Sequence, residues 1–118
     1  MRLSNYGQSR YVLLNVNAEA VQIKAVAQQN QLVKNAEVII IDGKAVVGVV
    51  PAPLFTKSQR DALLGELIAD ISARFDVPRI IISFDIQVYH NIKAANALLS
   101  QNKDASAKIQ NILQRVVV

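Results

Sequence analysis

The chain has 118 residues, 52% of them hydrophobic, with 13 Lys and Arg against 9 Asp and Glu and no cysteine. That size and apolar content fit one compact domain with a core of its own, and the missing cysteine excludes disulfides, thiolate metal sites, cysteine nucleophiles and a lipid-bearing cysteine in this stretch. The net charge of +4 is scattered, which argues against a field aimed at nucleic acid and leaves a mildly basic surface with a weak attraction for an anionic lipid or wall polymer.

Residues 1–10 lack periodicity and read as a loose leader, with order expected from about Tyr11. No apolar run approaches the roughly 20 residues of a membrane-spanning helix, and Met1 to Val16 lack a signal-peptide pattern, so an exported protein is expected to have lost that part. From Asn17 a helical pattern runs through Ala20, Val21, Ile23, Val26, Ala27 and Leu32, with Asn17 as the expected N-cap and Glu19 suited to the positive end of the helix dipole.

"EVIII" and "KAVVGVV" follow, two β-branched runs joined by Asp42-Gly43, the dipeptide that a type I′ turn prefers. Pro51 and Pro53 close the second run. In "TKSQRDALLGELIADISARF" Thr56 and Gln59 have the spacing of a capping box, and Leu63, Leu64, Leu67, Ile68, Ile71 and Phe75 form an apolar stripe. Gly65 interrupts that helix, either because a strand passes close to it or as a tolerated flaw.

Asp76-Val77-Pro78 breaks the helix, and "RIIISF" reads as a third strand ending at Asp85. Asp85 suits the cap of a third helix with the stripe Val88, Ile92, Ala95, Leu99, and a last helix places Ile109, Ile112, Leu113 and Val116 on one side.

These elements predict an α+β fold: an αββαβ core with a three-stranded sheet, two helices on one face, and C-terminal helices. The expected divisions are a leader (1–10), the αββαβ domain with its following helix (11–99) and a helical extension (100–118). A right-handed crossover that passes over the first strand gives sheet order 2-1-3 with the first strand central. Both other strands are then edges, and Lys44, Val46, Gly48 and Val50, with Ile80, Ile82 and Phe84, become candidates for strand addition. The hairpin is apolar at odd and even positions alike, so its second face needs a cover, from the last two helices or from another subunit.

No catalytic, metal or cofactor signature emerges. His90 is the only histidine and reads as a surface side chain; Asp42 and Asp85 have turn and cap duties; "DGKAVVG" lacks the spacing of a phosphate loop. The aromatic residues do not alternate with basic ones as a base-stacking sheet requires.

The succession of a helix, "VKNAEVIIIDGKAVVGVV", "TKSQRDALLGELIADISARF" and "VPRIIISFD" before another helix resembles the YhcN/YlaJ family of sporulation lipoproteins over Asn17 to Leu99. The resemblance implies a spore or forespore membrane surface outside the cytoplasm and a role in spore formation or germination, without catalytic residues to carry over. The lipobox cysteine of that family is missing here, which fits either a stretch that begins after the anchor or a soluble relative without a tether. The element order also resembles ring-building modules of sporulation and secretion complexes. The expectation is a non-enzymatic domain that pairs with itself or with a spore-envelope protein, needs no cofactor and binds no nucleic acid. The alternative is a ligand-binding or enzymatic domain acting on an anionic envelope polymer, with Arg60, Arg74 and Arg79 as contacts and a cleft holding Asp85, Tyr89 and His90.

Overall fold

The Asp42-Gly43 turn organises the sheet. Both residues have positive φ, 50° and 77°, as a type I′ turn requires, and glycine adopts that conformation without a Cβ penalty. The turn joins β1 (Val33–Ile41) to β2 (Lys44–Pro51) as an antiparallel pair, with Ile41 opposite Lys44 and a register shift between Val33 and Asn35. The computed structural model describes residues 8–53 and 56–116, with side chains from residue 18 onward. Before the hairpin runs α1 (Gln8–Gln28); after it come α2 (Lys57–Arg74), β3 (Arg79–Ser83), α3 (Ile86–Ser100) and α4 (Ser106–Val116).

The α+β class holds, with a mixed three-stranded sheet, but the strand order is β1-β2-β3. β3 pairs in parallel with β2, from Lys44 with Arg79 to Gly48 with Ser83, so the central strand is β2 and the expected 2-1-3 order is wrong. The reason lies in polarity. A strand flanked on both sides and covered on both faces has no route to water for a charged side chain, and β2 has no charge between Lys44 and its end. β1 carries Lys34, Asn35 and Glu37, which suit an edge. The crossover through α2 therefore sets β3 directly beside β2 and never has to clear β1.

As expected, α1 and α2 share one face of the sheet, and the two C-terminal helices cover the other. Ala20, Ile23, Val26 and Ala27 of α1 and Leu63, Leu67 and Ile71 of α2 pack against Val38, Ile40, Val47 and Val49. On the opposite face Val88, Ile92, Ala95 and Leu99 of α3 pack against Ile39, Ile41 and Val46, and Ile112 of α4 closes the same cluster. Each fully buried aliphatic side chain contributes about 1.5–3 kcal/mol of burial, which explains why a run apolar at every position needs two covers. Both come from this chain, which removes the sheet face as a surface left over for another subunit.

Local signals set several helix ends. The Thr56 hydroxyl accepts from the Gln59 backbone N–H, and the Gln59 side chain accepts from the Thr56 backbone N–H, the expected capping box. Asp85 caps α3 by accepting from the Gln87 N–H. After α3, Asn102 takes positive φ; its N–H donates to the Leu99 carbonyl and that of Lys103 to the Leu98 carbonyl, the paired bonds of a Schellman stop. Asn17 is not a cap, because α1 starts at Gln8. No proline or glycine stands between Gln8 and Asn17, and asparagine inside a helix costs less than about 1 kcal/mol. Of the expected leader, residues 1–7 lie outside the described residues and residues 8–10 are helical.

Candidate functional site

The sheet has two outer edges, and side chains treat them differently. On β1 the register shift bends the start of the strand, and Lys24 of α1 reaches Glu37 at 3.1 Å. Further along, Asn96 of α3 donates its amide to the Val38 carbonyl at 2.9 Å. A bulge, a paired charge and an occupied backbone acceptor are all devices that discourage an edge from pairing with another strand.

β3 lacks those devices. Its middle is Ile80-Ile81-Ile82, with no charge, proline or register shift, and all three side chains stay half-buried. Ile80 and Ile82 lean on the α1–α2 side of the core and Ile81 on the α3 side. α3 lies over β1 and β2, while α2 reaches β3 on the other face. The strand stands at the margin of its cover, with no further strand beyond it in the described sheet.

Of the expected strand-addition residues, Ile80 and Ile82 are on this edge. Phe84 lies just past the strand end, packed against the core, with the Arg60 guanidinium 5.6 Å from its ring centroid, a cation–π placement. Lys44, Val46, Gly48 and Val50 are on the central strand; β1 and β3 take up both sides from Lys44 to Gly48, and Val50 pairs with Asn35 of β1 beyond the end of β3. Gly48 has another duty. A Cβ there would stand 2.8 Å from Cα and 3.0 Å from N of Tyr89, so its missing side chain lets the start of α3 rest on the sheet. Periodicity hides this, since a glycine in a β-branched run signals close approach without saying of what. Gly65, the helix glycine considered for such an approach, faces open space.

The arginines are not gathered at one point. Arg60 and Arg74 are 14 positions apart on α2, about 21 Å along the axis at ~1.5 Å per residue. Arg60 is engaged with Phe84, and Arg74 lines a groove of about 610 Å³ beside Glu66 and Asp70. Arg79 stands exposed at the start of β3, without an ion pair among the described residues.

Asp85, Tyr89 and His90 do not share that groove. Tyr89 is buried, and His90 is exposed with its ring edge-on to Tyr89 at 5.3 Å. Asp85 accepts from Arg115 Nε at 2.7 Å, and that bond, followed by the Gln87 N–H, holds its carboxyl below the ordinary value of 3.8. A carboxylate held ionised in this way is poorly suited to donate a proton. Among the described residues no three His, Asp or Glu side chains gather as metal ligands, and no helix is long and apolar enough to cross a membrane. No family model matches the chain, and no curated protein matches it in sequence.

Proposed function

We propose that this chain is a non-enzymatic interaction domain that docks protein partners by strand addition at the outer edge of β3. One observation carries the reading: an uncharged run of three half-buried isoleucines forms an edge strand, while the opposite edge is bent, ion-paired and hydrogen-bonded. An incoming strand would supply main-chain hydrogen bonds and complete the burial of Ile80, Ile81 and Ile82, the two terms that give strand addition its affinity. The resemblance to the YhcN/YlaJ lipoproteins supports a setting at the spore or forespore membrane surface, in spore formation or germination.

The test is site-specific photocrosslinking in intact cells. A benzophenone side chain at position 80, 81 or 82 should join a discrete protein species, and the same group at Asn35 on β1 should not. Absence of adducts from β3, or equal yield from Asn35, overturns the reading.

A further inference from the structure

β3 is self-complementary in charge. It opens on Arg79 and closes on Ser83, and Asp85 follows with extended backbone, φ −73° and ψ 117°. In an extended chain, side chains two apart share a face, so Arg79, Ile81 and Ser83 project to the α3 side and Ile80 and Ile82 to the α2 side. Laid parallel and in register against a copy of itself, this edge sets Arg79 beside Arg79. Laid antiparallel about Ile81, it sets Arg79 opposite Ser83 and diagonal to Asp85 of the other copy. Diagonal neighbours across an antiparallel pair are about 7–8 Å apart, within the reach of an arginine.

We propose that the occupant of the β3 edge is a second copy of this chain, with the two β3 strands antiparallel about a two-fold axis at Ile81 and the two sheets joined into one of six strands. The inference rests on reading β3 as the docking edge. Arg79 is free to make the contact, being exposed and without an ion pair among the described residues. Asp85 is able to accept it, since a carboxylate has about four lone-pair sites and Arg115 and Gln87 occupy one on each oxygen. The contact appears twice by symmetry, as in any isologous interface, and the isoleucines of both copies stand opposite one another: 81 with 81, 80 with 82.

The absence of cysteine makes the register directly testable. Opposed Cα atoms in an antiparallel pair lie about 4.5–5.5 Å apart, inside the range a disulfide spans. In purified protein Ile81→Cys should therefore form a disulfide dimer on mild oxidation. Ile80→Cys and Ile82→Cys should each stay largely unlinked alone and join each other when mixed. In sedimentation equilibrium Arg79→Glu should weaken the dimer about tenfold or more, by turning two attractions into two repulsions, while Arg79→Lys keeps most of it.

A chain that stays monomeric at millimolar concentration, or an Ile80→Cys variant that links to itself better than Ile81→Cys does, overturns the proposal. If the photoreactive group at position 81 joins a different protein while the Ile81→Cys variant stays unlinked, self-pairing fails and the docking edge stands. If positions 80, 81 and 82 join nothing by either chemistry, both fail.

Discussion

β1 and β3 are the two margins of one sheet, built from equally β-branched sequence, yet one is guarded and the other is not. The guards on β1 come from far along the chain: Lys24 from the helix before it and Asn96 from the helix covering the opposite face. β3 receives no such partner across Ile80 to Ile82 among the described residues. An edge is therefore closed less by its own sequence than by the polar side chains that neighbouring elements bring to it, and on the proposed reading one closed and one open edge give the module a direction for assembly.

The largest effect that would disturb this contrast is expected at Gly48. A methyl group there meets the Tyr89 backbone, which cannot rotate away as a side chain does, so α3 must lift from the sheet and carry Asn96 away from Val38. Gly48→Ala should cost about 3 kcal/mol, in the upper part of the overpacking range, read by urea denaturation, and should speed amide exchange along β1. Unchanged stability would mean that α3 is not seated where it lies.

A smaller and cleaner break is Asn96→Ala. It removes the donor to the Val38 carbonyl, at a cost of about 1 kcal/mol, and should let β1 take up partners, so that a chain which the proposed β3 pairing limits to dimers forms larger species in light scattering. If the variant assembles like the parent, the amide is not what closes β1.

Gly65→Ala sharpens the comparison from the β3 side. It fills open space on the outside of α2 and should stabilise the chain by about 1 kcal/mol, measured by thermal denaturation, with no change in β3 docking. A loss of stability would show that α2 needs its glycine for a bend.

The smallest effect concerns pH. The Asp85 carboxyl titrates below its ordinary value because Arg115 and the Gln87 N–H bond its ionised form, and Asp104 does likewise through the Ser106 hydroxyl and backbone N–H. A depressed folded value means that the stabilisation is fully present above the unfolded value, about pH 4, and is lost as pH falls through the folded one. The parent should lose stability on acidification below about pH 4, and Asp85→Asn should flatten part of that slope. An identical slope in the variant would place the acid sensitivity elsewhere.

Much of this architecture was readable from local chemistry. The I′ turn, the Thr56 and Asp85 caps, and the stripes of α3 and α4 depend on residues within a few positions of each other and stand where sequence placed them, while in the α2 stripe Leu63, Leu67 and Ile71 are buried and Ile68 is exposed. Strand order was not readable from crossover geometry, because the choice between centre and edge is made by nonlocal burial. The clue that existed was the charge-free β2 beside a β1 bearing Lys34 and Glu37. The two glycines show the same limit: sequence marks Gly48 and Gly65 alike as interruptions, and only the position of α3 separates a required glycine from a replaceable one. The unguarded edge was half visible, in Ile80 and Ile82, while Asn96, which distinguishes the other edge, looked like one more polar helix residue.

The β2–β3 pairing has a kinetic consequence. The hairpin closes within a few residues, whereas Lys44 must find Arg79 and Gly48 must find Ser83 across 35 positions. Short-range hairpins form in about 1–10 μs, and distant pairings wait on loop closure, so β3 is the last strand to be recruited. During that delay a newly made chain shows β2 with one flank vacant, and a β3 from a neighbouring molecule competes for the seat. Slow synthesis and dilution should let each chain seat its own β3, and rapid refolding from concentrated denaturant should favour exchanged strands.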